Sequence, residues 1–168
     1  MKKIALIMLL MVAALGARGE NADITRIRQI YSDAKAQIAM GEEEIQARNM
    51  LETHGQYMIP GCGPTDELVR CYFKMQYSSD GEMTYQPYFI TRTRNIAARN
   101  YYDEFLFDED GMLVFFYEKM DNEEVRCYWG EEGVIVRGGG DSLIEVGEAY
   151  SDAVTLQLSY VMMMNRHQ

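Results

Sequence analysis

Three sets of side chains in this sequence have types and spacings that could do chemistry. The first is Cys62, which stands between glycines in residues 58–65, MIPGCGPT. A thiol in such a loop is accessible, but it needs a base or a positive neighbour to become a thiolate at neutral pH. His54 precedes it by eight residues, without any Cys–His family signature. The second set is Glu104 and Glu118, which strand alternation places on one hairpin face. Two carboxylates held about 5–10 Å apart in a cleft can hydrolyse a glycosidic bond. The third is aromatic and cationic: Tyr72, Tyr88, Tyr102 and Tyr128, interleaved with Arg70 and Arg126. Exposed tyrosines beside arginines make a platform for a glycan ring or a protein partner.

Each set has a structural alternative. Three cysteines allow three disulfide pairings with one thiol left over. Cys62–Cys71 ranks first, since it would pin the glycine-rich loop to the first expected strand; three free thiols is the close alternative. Cys71–Cys127 would need neighbouring strands, which a six-stranded meander does not provide. Both of those cysteines lie on apolar faces, where a thiol is a small buried hydrophobe. The carboxylates can pair with strand arginines, Arg70, Arg126 and Arg137, and the tyrosines can pack beneath a helix. Asp108, Asp110 and Gly111 resemble part of a calcium loop. The positions that an EF-hand fills with an oxygen ligand and a glutamate hold Leu106 and Tyr117, so this is a turn. The sequence holds no metal-ligand spacing and no cofactor fingerprint, and His54 and His167 stand alone.

The elements that must position these groups are organised around residues 101–119, YYDEFLFDEDGMLVFFYEK. Two aromatic runs flank an acid–glycine tip, the pattern of a hairpin closed by a three-residue loop with Gly111 left-handed. With Asp108 opposite Met112, Tyr101, Phe105, Phe107, Leu113, Phe115 and Tyr117 share the core-facing side. Tyr102, Glu104, Leu106, Met112, Val114, Phe116 and Glu118 take the other. A second hairpin runs from Val69 through Ser79-Asp80-Gly81 to about Thr93, with Pro87 marking an edge or a bulge. A third turns at Glu131-Glu132-Gly133. Asp23 can cap an N-terminal helix with its stripe at Ile24, Ile27, Tyr31, Ala34 and Ile38. Ile45, Ala47 and Leu51 continue that spacing towards Gly55, and Glu42, Glu43 and Glu44 read as a solvated helix face. A last helix, starting at Asp141 or Ser142, carries Val146, Ala149, Ala153, Leu156, Tyr160 and Met163 at three–four spacing. Met162, Met163 and Met164 then fill the end of the core.

Length and charge bound the rest. The 168 residues make one domain. Lys2 and Lys3, an apolar run from Ile4 to Leu15 and small residues to Gly19 follow the order of a secretory signal peptide. The run is too short to span a bilayer, which takes roughly 20 residues. Residues 1–19 hold three of the 16 basic residues and none of the 26 acids. Their removal leaves 13 against 26, a formal charge of −13 instead of −10. Such a balance opposes nucleic acid and anionic membrane as partners. No cysteine lies near the cut, so no lipid anchor is expected.

The PGCGP loop at residues 60–64 and the tyrosine-rich hairpin with its returning LVFF strand resemble a group of secreted proteins from gut bacteria without an assigned activity. The resemblance implies export and a helix-plus-meander architecture, and it carries no catalytic residues. Together these readings predict an exported α+β domain over residues 20–168. It comprises an N-terminal helix, about six antiparallel strands in a meander, and a C-terminal helix packed on the sheet. They favour a non-enzymatic binding module for a glycan or protein, in the periplasm or outside the cell. A thiol enzyme at Cys62 and a hydrolase at Glu104 and Glu118 are the alternatives.

Overall fold

A computed structural model describes residues 21–43, 49–77, 80–138 and 143–165. The expected leader, Glu44, Ile45 and Ala47, Ser79, the start of the last helix at Asp141 or Ser142, and His167 lie outside them, as do the side chains of Glu42 and Glu43. Helix α1 spans Ala22–Glu43. Seven strands follow: β1 (Met50–Ile59), β2 (Gly63–Tyr77), β3 (Met83–Ile96), β4 (Arg99–Phe107), β5 (Leu113–Met120), β6 (Glu123–Gly130) and β7 (Gly133–Gly138). Helix α2, Leu143–Asn165, ends the fold. The architecture is α+β, one antiparallel sheet in which every strand lies beside its sequence neighbours.

The helices lie on opposite faces, and alternate strand residues feed two separate cores. One row crosses all seven strands as Leu51, Cys71, Ile90, Phe105, Phe116, Cys127 and Val136, each paired with the next. It packs under α2 with Val146, Ala149, Ala153 and Tyr160. The row behind it is Met50, Tyr72, Phe89, Leu106, Phe115, Tyr128 and Ile135, and it packs under α1 with Ile24, Ile27, Ala34 and Tyr31. Burying both faces explains why the central strands read as near-continuous apolar runs instead of alternating ones.

The helix stripe of α1 packs as expected, but its cap is Asn21, whose Oδ1 accepts the Asp23 amide at 2.9 Å. Asp23 does other work: its carboxylate accepts the Glu131 amide at 3.0 Å and ties the helix start to the β6–β7 tip. At the C-terminal end only Met164 of the methionine run joins the core, while Met162 and Met163 face water.

The central hairpin closes as its sequence predicts. The Asp108 amide donates to the Met112 carbonyl, Gly111 is left-handed at φ 75°, and Asp108 Oδ1 accepts the amides of Asp110 and Met112. Phe105, Phe107 and Leu113 are buried together. Beyond Leu113 the expected face assignment of β5 is off by one. Leu106 pairs with Phe115 and Phe107 with Leu113, so Val114 is an extra residue, a β-bulge. The bulge turns Phe115 and Tyr117 towards α1, and Phe116 and Glu118 towards α2. A second bulge at Tyr88, next to buried Pro87, sets Tyr88 beside Phe89 under α1.

The strand count is seven because residues 50–59 are strand, not helix, and the PGCGP run is the tip that turns β1 into β2. As an edge strand β1 is mostly solvent-facing, so its sequence shows no alternation for a reader to find. The link expected at Arg94–Ala98 is strand to Ile96, closed by a two-residue turn with Ala97 and Ala98 at φ 50° and 65°.

Candidate functional site

The three cysteines are free thiols. Cys62 sits in the β1–β2 turn and Cys71 lies eight strand residues beyond Gly63, about 25 Å away at strand rise. A disulfide spans Cα atoms under about 7 Å apart, so the expected Cys62–Cys71 bridge does not form. Cys71 and Cys127 occupy the same row, four strands apart, at roughly 19 Å. Burial pushes the Cys71 thiol up to about 12, which keeps it inert. His54 points from the middle of β1, where its ring bonds Glu52 at 2.9 Å, and it is more than about 15 Å from the turn that carries Cys62. Among the described residues no Cys–His pair is assembled.

Glu104 and Glu118 are likewise separated. Glu104 pairs with Tyr117 and Glu118 with Asp103 across β4–β5, so the two glutamates occupy opposite faces of the sheet. The Val114 bulge is the cause. The tyrosines expected to face away from the core are mostly beneath α1: Tyr72, Tyr88 and Tyr128 are buried, and Tyr102 is half-buried. Arg70 reaches across to Glu52 on β1 at 2.6 Å. These four tyrosines therefore form no open platform, but the same face holds something else.

Beside α1 lies a cavity of about 540 Å³ over the strand residues Glu104, Tyr117, Arg126 and Arg137. These four are one cross-strand row, each directly opposite the next. Glu104, 4 % exposed, forms its floor. Its carboxylate accepts the Tyr31 hydroxyl at 2.7 Å, the Tyr102 hydroxyl at 2.7 Å and the Lys35 ammonium at 3.1 Å. Burial, and then the hydrogen bond to Glu104, raises the pKa of both phenols, so they stay protonated donors. Arg126 lies over the Tyr117 ring, 5.1 Å from its centroid, and donates to Glu124 at 2.6 Å. Arg28 reaches the opposite wall from α1.

The α2 face carries a second polar cluster. Asp103 is fully buried, and its Oδ2 accepts Arg92 Nε at 2.7 Å and Arg94 Nη2 at 2.9 Å. Arg92 also donates to Asp152 of α2 at 2.8 Å. Asp103 Oδ1 meets no N–H or hydroxyl donor among the described residues. Its neighbour is the carboxyl of Glu118, whose pKa rises to about 7 through burial, the Asp103 charge and the hydrogen bond between the two. When Glu118 carries its proton, that carboxyl can donate to the otherwise orphaned oxygen.

Sequence reasoning placed Tyr102, Tyr128 and Arg126 on the face that carries the cavity, and Arg137 on a strand. It missed Tyr31, Lys35 and Arg28 on α1, and the Arg92–Asp103–Arg94 cluster. For the cluster a signal was present. Asp103 interrupts an apolar face, and Arg92 and Arg94 share one side of β3 at a two-residue spacing. Among the described residues no group of three or more His, Cys, Asp or Glu side chains is placed to hold a metal ion, and no helix is long and apolar enough to cross a membrane. Compared with known protein families, curated proteins and solved structures, the chain matches none.

Proposed function

We propose that this protein is an exported, non-enzymatic binding module and that its ligand site is the cavity between α1 and strands β5–β7 above Glu104. One observation carries the reading. The cavity has aromatic walls and a polar floor, and its volume lies in the range of small-molecule sites, about 300–1,000 Å³. Its polar groups are arranged for holding a ligand more than for transforming one. Glu104 is committed to three donors, and both phenols are fixed as protonated donors, so no free base faces a nucleophile. The N-terminal leader and the acidic surface support export.

The test is a glycan array that displays neutral and acidic sugars, probed with the wild-type protein and with a Tyr117→Ala, Arg126→Ala double variant. Both side chains are partly or largely exposed, so the variant keeps its fold. Retention by the wild type that disappears in the variant supports the assignment. Retention equal in both proteins, or retention on no glycan, removes it.

A further inference from the structure

The cavity described above has a charge that its surroundings do not share, and this names its ligand. Resting on the reading of that cavity as the binding site, we propose that it takes an acidic sugar, a pyranose ring whose carboxylate bridges Arg126 and Arg137 while the ring lies against Tyr117.

Register brings the two arginines together. They are direct partners across β6–β7 and project from the same face. Like charges directly opposite on a sheet are destabilising, and nothing in the packing requires them here, since both side chains are exposed. Arg126 shares its charge with Glu124 of its own strand, whereas among the described residues no ion pair or hydrogen bond is recorded for Arg137. Arg28, which has contacts of its own, lines the cavity from the opposite side. The floor does not cancel this charge, because Lys35 already neutralises Glu104. A cation-rich cavity thus sits in a chain whose formal charge is −10.

The shape of the anion follows from what lines the cavity. Phosphate sites gather backbone N–H groups at a helix start or a glycine loop. Here the walls are the body of α1 at Ile27 and Tyr31, whose amides are engaged in the helix, and the faces of strands, whose amides lie in the plane of the sheet and not towards the cavity. Only side chains reach the anion, and the guanidinium fork matches a carboxylate in two parallel hydrogen bonds. Tyr31, which lines the cavity, donates its proton inwards to Glu104, so its oxygen keeps a lone pair for a ligand hydroxyl. That suits a polyhydroxylated ring better than an apolar acid. The Tyr117 face supplies the apolar wall that a sugar's C–H surface requires.

The experiment is isothermal titration of the purified protein with digalacturonate, with the uncharged digalactose, and with inorganic phosphate. The expected result is binding of digalacturonate at least about tenfold tighter than of digalactose, with Arg137→Gln lowering digalacturonate affinity by about tenfold or more and leaving digalactose unchanged. Arg137→Lys restores only part of the loss, because an ammonium lacks the fork. Unchanged melting temperatures verify that these exposed-site variants are folded. Equal affinity for the two sugars overturns the acidic-ligand inference while leaving the cavity as a sugar site. Phosphate that competes as well as digalacturonate overturns the carboxylate assignment. Binding of neither sugar overturns the inference, and the failure of the cavity reading is recognised separately by a glycan array that retains no wild-type protein.

Discussion

Asp103 and Glu104 are consecutive residues of β4, and they point to opposite faces of the sheet, where each is the buried centre of a polar cluster beneath a helix. On the α2 face every charge near Asp103 is matched. Arg92 is shared between Asp103 and Asp152, and Arg94 between Asp103 and Glu118, at 2.9 and 3.7 Å. On the α1 face Glu104 is satisfied by a lysine and two phenols, and of the arginines two and three strands beyond, Arg126 is paired with Glu124 while Arg137 has no counter-ion among the described residues. The difference is the one on which the proposed binding reading of the α1 face rests. Buried polarity is common to both, and an unbalanced charge facing a cavity belongs to only one.

The comparison breaks first at the carboxylates themselves. Asp103→Asn takes from two guanidiniums, 9 % and 16 % exposed, the buried counter-ion they share, and leaves Arg92 only Asp152 and Arg94 only Glu118, at 2.8 and 3.7 Å. The expected loss is about 3–5 kcal/mol of stability, the cost of breaking a buried ion pair from one side. Glu104→Gln should cost less, about 1–2 kcal/mol. Its amide oxygen still accepts a phenol, and Lys35, 44 % exposed, can turn to water. Urea unfolding of both variants decides the matter. Equal losses would mean that the two clusters do the same structural work.

Proton linkage sharpens the contrast, because the α2 cluster holds a carboxyl, Glu118, raised towards neutrality. Glu118 has its folded-state pKa raised from 4.5 to about 7. Between those values the folded state holds a proton that the unfolded state has released, so this group's contribution to stability falls as pH rises through the window and is flat above it. Glu118→Gln removes the titration. The melting temperature of the variant relative to wild type should therefore rise from about pH 5 to about pH 8, and the change should be absent in a parallel Glu104→Gln series. A relative melting temperature that does not depend on pH would remove the shared proton from Asp103 and Glu118.

How much of this was legible beforehand follows from where the two faces are decided. The glycine tip of the central hairpin and the burial of Phe105 and Phe107 are written in local sequence, because a left-handed residue and an aromatic run each have a chemical signature. A bulge has none. Val114 looks like any strand valine, yet it moves Glu118 from the Glu104 side to the Asp103 side and dissolves the expected carboxylate pair. β1 escaped because an edge strand with most of its side chains in water gives no period to detect. Arg126, Tyr102 and Tyr128 could be placed on the cavity face from strand parity. Tyr31, Lys35 and Arg28 could not be placed there, since the path of a helix across a sheet is set by packing and not by its own periodicity.

The smallest expected effect serves as a control on both faces. The turn between β3 and β4 places Ala97 and Ala98 in the left-handed region, which costs an alanine about 1–2 kcal/mol per residue and which asparagine and glycine adopt readily. The turn sets the register that aligns Arg92 with Asp103 and Thr91 with Glu104, so relief of its strain should strengthen the hairpin without moving either cluster. Ala97→Asn with Ala98→Gly should stabilise the protein by about 1 kcal/mol, the gain being reduced by the added chain entropy of glycine. Urea unfolding measures the gain, and the pH dependence set by Glu118 should be superimposable on that of the wild type. A gain accompanied by an altered pH profile would mean that the alanine turn, strain included, tunes the spacing of the Arg92–Asp103 pair and is not a neutral connector.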